Sequence, residues 1–182
     1  MIFGPKEILL KDGRNCILRS PSVLDAEDIL EYLKTTSAET DFMIRCPEEV
    51  TMTVEEEQKI LADFLKDPKR VMISAILDGK IVGNAGMACV DDKIKLCHRA
   101  HFGIAIVKEA WHLGIGSAIL KEIIQTARSI GFEQIELEVD EGNQRGIALY
   151  QKMGFKEYGK RDAAFRLKDG SYHAEYLMMK KL

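Results

Sequence analysis

The run Ala110-Trp111-His112-Leu113-Gly114-Ile115-Gly116-Ser117-Ala118 places two glycines two positions apart, directly after the apolar stretch Phe102-Gly103-Ile104-Ala105-Ile106-Val107. Beyond it Ile115, Ala118, Ile119, Ile123, Ala127 and Ile130 recur at three- and four-residue steps. That spacing predicts an amphipathic helix opened by the glycines and closed at Gly131. The first amides of a helix have no partner within it, and the aligned peptide dipoles leave partial positive charge there. A residue without a Cβ lets a phosphate come close to that main chain. The glycine pair therefore reads either as a tight strand-to-helix turn or as an anion site made of backbone amides. Two other phosphate loops are excluded. Gly116 is followed by Ser117-Ala118 rather than by Lys and a hydroxyl residue, and Ile119 stands where a dinucleotide fingerprint needs its third glycine.

A second group of residues follows. Ile135, Leu137 and Val139 alternate with Glu136 and Glu138, the period of a strand with one wet face. Asn143 lies where a helix N-cap is expected. Tyr150 carries an apolar body and a polar tip, which suits a core position as well as a reactive one. Read singly, these are a solvated strand face, a cap and a packing aromatic.

Together the segments give strand, glycine turn, helix, strand, short helix, ending in Leu149-Tyr150-Gln151-Lys152-Met153-Gly154-Phe155. With Gly114, Gly116 and Asn143 at these spacings, the chain resembles the GCN5-related N-acetyltransferase (GNAT) superfamily. The resemblance implies acetyl-CoA as co-substrate and transfer of its acetyl group to a primary amine of a small molecule, peptide or protein. It implies that the loop His112, Leu113, Gly114, Ile115, Gly116 and Ser117 holds the pyrophosphate. Ile104, Ala105 and Ile106 would pair with the pantetheine arm, and Asn143 would contact it. Tyr150 takes the place of the general acid that protonates the leaving thiolate. Glu138, twelve residues earlier, falls where the ribosomal-protein N-terminal acetyltransferases carry a general base. The family pattern R/Q-x-x-G-x-G/A is broken at its first position, where Trp111 stands. A packing role at the mouth of the site is expected for that indole.

The elements needed to hold these residues are legible elsewhere. A strand is predicted near Asn15–Ser20, then a helix capped at Ser22-Val23-Leu24-Asp25, and a second helix opened by Thr53-Val54-Glu55-Glu56. Val71–Leu77 and Lys80–Val90 flank an Asp78-Gly79 turn and read as a hairpin. A long strand is expected over residues 94–107. After Gly154 come Phe155–Tyr158, an irregular stretch and a last strand at Tyr172–Met179. The fold class implied is α/β, with a twisted, mixed but mostly antiparallel sheet of about seven strands and about four helices. One domain spanning 1–182 is expected.

The chain has 182 residues, 46% hydrophobic and 30% charged, with a net charge of −3. That balance argues against nonspecific nucleic-acid binding. No apolar run reaches membrane-spanning length, and the N-terminus lacks a signal-peptide layout, so a cytoplasmic protein is expected. Cys16, Cys46, Cys89 and Cys97 form no C-x-x-C pair, and no metal site is expected. Between Asp25 and Asp63 there are twelve acidic and three basic residues. In the GNAT layout this region borders the acceptor cleft, and an acidic rim there would suit a cationic amine. Two solvated helix faces would account for the same charges. The terminal strand offers a route to a homodimer. The alternative to an enzyme is a non-catalytic acyl-CoA-binding sensor or assembly domain.

Overall fold

A computed structural model describes all residues, 1–182. Strands β1 (Lys6–Leu9) and β2 (Asn15–Arg19) precede helices α1 (Ala26–Glu39) and α2 (Val54–Lys66). Strands β3 (Arg70–Leu77), β4 (Lys80–Cys89) and β5 (Arg99–Ile106) follow, then α3 (Ile115–Ile130), β6 (Gln134–Asp140) and α4 (Gln144–Lys152). The chain ends with β7 (Lys156–Arg166) and β8 (Tyr172–Lys181). All eight strands form one sheet in the order β1-β2-β3-β4-β5-β6-β8-β7, antiparallel except where β5 runs beside β6.

The expected layout is therefore present with one strand more. The extra strand is β1, which pairs with β2 from Lys6↔Leu18 to Leu9↔Asn15. β5 is shorter than expected and begins at Arg99. Residues 91–97 are tied instead into turns by Lys93 N–H to Asp91 Oδ1 and Leu96 N–H to Lys93 O, which leaves Ile94 in solvent. β7 is longer than expected and runs eleven residues along the sheet edge.

Local chemistry accounts for the joints. Asp78 and Gly79 both have positive φ, the geometry that lets a two-residue turn follow the twist of β3 and β4. Ser22 and Asp25 form a reciprocal cap on a 3-10 turn that leads into α1. Thr53 and Glu56 form the same device at the start of α2. Gly131, with φ of 97°, closes α3 by accepting the left-handed conformation.

The sheet is covered on two sides. Ile73, Ala85, Met87, Phe102, Ile135 and Leu137 are buried on one face, where α3 and α4 pack: Ile119, Leu120, Ile123 and Ala127 of α3 are fully buried, and Tyr150 of α4 meets Phe102 edge-on. α1 and α2 cover the opposite face of β3 and β4. There the Tyr32 hydroxyl accepts from the Asn84 N–H at 3.1 Å and donates to the Ala105 carbonyl at 2.7 Å. Over β6, β8 and β7 the same face carries no helix. No helix of the chain is long and apolar enough to cross a membrane.

β5 and β6 pair over only three positions, Arg99↔Gln134, Ala100↔Ile135 and His101↔Glu136. Beyond them the strands part. A cleft opens beside the free end of β5, lined there by Ile104, Ala105 and Ile106 and across from them by Asn143, Arg145 and Tyr150 of α4 and its cap.

Candidate active site

One end of the cleft is the turn into α3. Gly114 is its N-cap, with φ of 99°, and His112 two residues before has φ of 65°. The first intrahelical bond is Ala118 N–H to Gly114 O, so the amides of Ile115, Gly116 and Ser117 have no helical partner. His112, Gly114, Ile115, Gly116 and Ser117 all line the cleft. The two glycines have different reasons. A Cβ on Gly114 would meet only the Lys11 stem, at 3.9 Å, so its need is conformational. A Cβ on Gly116 would lie 3.0 Å from Leu149 and 3.2 Å from Ile106, so this glycine lets α3, α4 and β5 meet. Leu113 departs from expectation. It packs against the core rather than lining the cleft, and its carbonyl accepts the Lys11 N–H at 3.1 Å.

Along the open side of β5 the direction of each peptide follows from the ladder. Val107 N–H bonds to Val82 O of β4, so Ala105, two residues earlier, also turns its peptide toward β4. Ile104 and Ile106 turn theirs into the cleft. The Ile106 carbonyl is occupied there, because the Trp111 indole N–H donates to it at 2.6 Å. The main-chain groups that this edge leaves facing the cleft are those of Ile104 and the Ile106 N–H; Ala105 lines the cleft without offering main-chain groups to it. Trp111 is at the mouth, as expected, and carries a cation on its face: the Arg145 guanidinium lies 3.0 Å from the ring centroid.

Tyr150 lies in the cleft wall, wedged edge-on to Phe102 at 6.4 Å between centroids and tilted on Phe155 at 5.9 Å. Burial alone pushes its hydroxyl up to about 12. Asn143 caps α4, its Oδ1 accepting from Gly146 N–H at 2.9 Å, and also lines the cleft. Its amide nitrogen makes no hydrogen bond to the protein.

Glu138 is not in the cleft wall beside Tyr150. By strand alternation it stands on the opposite face of the sheet, the face α1 and α2 leave open, where its Oε2 meets His101 Nε2 at 2.6 Å. That face is rich in carboxylates, each with a partner. Glu136 binds Arg99 through two bonds of 2.5 and 2.6 Å, which hold it below the usual carboxylate range. Asp140, fully buried, accepts from Gly142 N–H at 2.7 Å and meets His173 Nδ1 at 2.8 Å, raising the imidazole. Glu175 binds Arg161, yet its burial outweighs that cation and pushes it up.

Most of the acidic residues of the N-terminal helices lie away from this cleft; Asp28 and Glu31 line a second cavity beside Tyr32 and Val107. Glu56 caps Thr53 and Glu57 is buried. Of the twelve acids between Asp25 and Asp63, only Glu39 lines the cleft, and it accepts the Lys108 N–H at 2.7 Å. The end of the cleft away from the glycine turn is lined by Thr36, Thr40, Phe42 and Met43, from the end of α1 and the loop after it. Sequence reasoning missed these four, and missed Lys11 and Arg145. Arg145 was within reach, since it falls in the first turn after the Asn143 cap. Lys11 arrives through the β1–β2 hairpin, and Phe42 and Met43 through an irregular loop. Neither segment has a period to read.

A central sheet split between two strands, with a glycine-opened helix at one end of the split, defines an acyl-CoA N-acyltransferase fold. The Acetyltransferase (GNAT) family model matches residues 35–155. The chain belongs to this family. It is 30% identical over 122 residues to the L-amino acid N-acetyltransferase AaaT of Escherichia coli, covering 66% of this chain and 72% of that one. It superposes on the GNAT acetyltransferase of Streptococcus pneumoniae with a TM-score of 0.87 and 29% identity, over 92% of this chain and 99% of the other. The acetyltransferase YncA of Salmonella typhimurium, solved with its cofactor acetyl-CoA, shares the fold at a TM-score of 0.80 and 15% identity, over 92% and 94% of the two chains.

Proposed function

We propose that this protein transfers the acetyl group of acetyl-CoA to a primary amine held over the open face of the sheet. The observation that carries the reading is the interior sheet edge at Ile104 and Ile106, continuous with the unpaired amides of Ile115, Gly116 and Ser117. One end of that track suits a phosphate and the other an extended amide chain. Lys11 and Arg145 add positive charge beside the phosphate end. When bound, acetyl-CoA supplies a thioester whose carbonyl accepts an amine.

The chain's own residues do the rest. A main-chain N–H of Ile104 or Ile106 donates to the carbonyl oxygen as negative charge gathers on it. Tyr150, kept protonated by burial, donates its proton to the departing sulfur. The amine is a nucleophile only when neutral, and alkyl amines hold a proton up to about 10.4. Glu138 therefore anchors the basic side of the site, across the sheet from Tyr150. Holding amine and thioester together in one cleft supplies a large part of the rate. The Phe42 and Met43 wall favours an amine bearing an apolar group. The L-amino acid N-acetyltransferase activity named for the Escherichia coli relative is consistent with that class.

The test is thiol release from acetyl-CoA across a panel of amino acids, alkyl diamines and peptide N-termini, alongside CoA binding by calorimetry. Release with at least one amine is expected, fastest with apolar α-amines. CoA binding without release for every amine would instead make the chain an acyl-CoA-binding module. Absence of CoA binding would remove the reading.

A further inference from the structure

The side-chain contact between His101 and Glu138 spans the split at the point where it opens. His101 is the last residue of β5 that pairs with β6, and Glu138 is two residues beyond its opposite number, Glu136, on the diverging strand. Their bond of 2.6 Å therefore spans the two strands just past their last paired position. Tyr150 reaches the same level from the other face, because its ring packs on Phe102, the neighbour of His101. An acid and a His–carboxylate pair thus lie on opposite faces of the sheet, close to the position where β5 and β6 part.

We propose that His101 is a catalytic residue: it takes the proton from the acceptor amine while Glu138 orients its ring. This rests on the acetyl-transfer reading and assigns the atom that receives the proton. A ring nitrogen and a carboxylate oxygen 2.6 Å apart need a proton between them. Nε2–H donates to Glu138, and Nδ1 keeps a free lone pair. The imidazole is half in solvent and Glu138 is also accessible, with side-chain exposures of 53% and 38%. An amine can approach Nδ1 directly or through one water. As the amine nitrogen bonds the acetyl carbon, one N–H bond breaks and its proton goes to Nδ1. The resulting imidazolium faces the Glu138 carboxylate, the arrangement a carboxylate–His pair favours. The C–S bond breaks, the sulfur takes the Tyr150 proton, and tyrosine and imidazolium re-equilibrate with water.

The other charged groups around His101 are engaged. From β5 and β6, Arg99 and Glu136 bind each other; from β7 and β8, Arg161 and Glu175 do the same. The Tyr158 hydroxyl of β7 lies close enough to Glu136 and Glu138 to feel both charges. The second His–carboxylate pair, His173 with Asp140, stands at the far end of β6 beside Phe42, away from the Phe102–Tyr150 level.

The experiment uses the full chain with His101→Ala, His101→Gln and Glu138→Gln, and reads thiol release with the best amine of the panel. Because His101 is exposed, the variants are expected to melt with the wild type. His101→Ala should lose ~10²-fold or more in kcat with the KM for acetyl-CoA within twofold. Added imidazole should restore a rate that rises with its concentration, in His101→Ala but not in His101→Gln, whose side chain fills the space. The defect of both should shrink as pH approaches that of the free amine. A kcat for His101→Ala within threefold of wild type overturns the assignment, and so does a loss that imidazole fails to relieve. A separate readout keeps the reaction and the base apart. In the ¹⁵N spectrum of wild type the His101 Nε2–H gives a hydrogen-bonded, downfield proton that vanishes in Glu138→Gln. If that proton is present but no amine supports thiol release by wild type, the reaction itself is overturned. If wild type turns over and the proton is absent, the pair is overturned and the reaction stands.

Discussion

Tyr150 combines two properties that a general acid needs: a position in the cleft wall and a proton it does not lose at working pH. Burial raises its hydroxyl to about 12, so it is protonated throughout the physiological range. Tyr150→Phe keeps both aromatic contacts and removes only the proton. Its kcat should fall ~10²–10⁴-fold while CoA affinity is nearly unchanged. Raising the pH should not restore it, since alkali supplies no acid, and wild-type kcat should show no tyrosine-linked decline below pH 10. A near-normal kcat in the variant would remove the role. Glu55 and Glu56 give the opposite expectation. Because they sit at the start of α2 and not in the cleft, neutralising them should leave the KM for every amine unchanged at low and high salt. A rise confined to cationic amines would restore the acidic-rim idea.

At the scale of the element, the turn into α3 and the entry to α1 carry the clearest expectations. Gly114 has open space but a left-handed φ. Gly114→Val therefore strains the turn and puts a branched side chain where a phosphate would sit. CoA affinity should fall more than tenfold, about 1.4 kcal/mol, with a thermal melt run beside it to separate lost fold from lost binding. Gly116→Val should act through packing instead, since its Cβ meets Leu149 and Ile106, at a cost of about 1–3 kcal/mol in stability. At the entry to α1, Asp25 receives Arg19, the Ser22 N–H and the Ser22 hydroxyl, and these hold it at about 2. A carboxylate lowered on folding stabilises above its unfolded value and loses that contribution as pH falls toward the folded one. Asp25 should thus contribute about 1–2 kcal/mol at neutral pH, lost between about pH 4 and 2 and absent in Asp25→Asn. Equal acid sensitivity in wild type and variant would contradict this.

These elements also show what the chain reveals in one dimension. α3 was legible because six apolar residues repeat with its period, and both N-terminal caps because serine or threonine meets an acid three residues on. β1 was not: Lys6-Glu7-Ile8-Leu9 has no alternation, and pairing with β2 alone makes it a strand. Residues 94–98 carry strand-forming types, yet hydrogen bonds within the loop hold them in turns. The glycine turn, Asn143 and Tyr150 line the cleft, where the family resemblance puts them. The His101–Glu138 contact did not follow from spacing, because it depends on two strands from distant parts of the chain aligning in one register.

For the whole molecule, the three paired positions between β5 and β6 divide the sheet into two plates joined along a short seam. One plate holds β1 to β5; the other holds β6, β8, β7 and α4. A ligand bonded to Ile104 and seated against Asn143 and Tyr150 would stitch the plates together. CoA at a hundred times its dissociation constant should raise stability by about 2.7 kcal/mol, and the gain should be shared unevenly. Amide exchange should slow at Ile104 and Ile106, which bonding explains, and also along β6 and β8, which the ligand does not touch. Protection confined to the contacted amides would mean the plates were already rigid. The sheet would then be a fixed jig rather than a clasp, its accuracy in placing an amine against a thioester the same before the first substrate arrives as after.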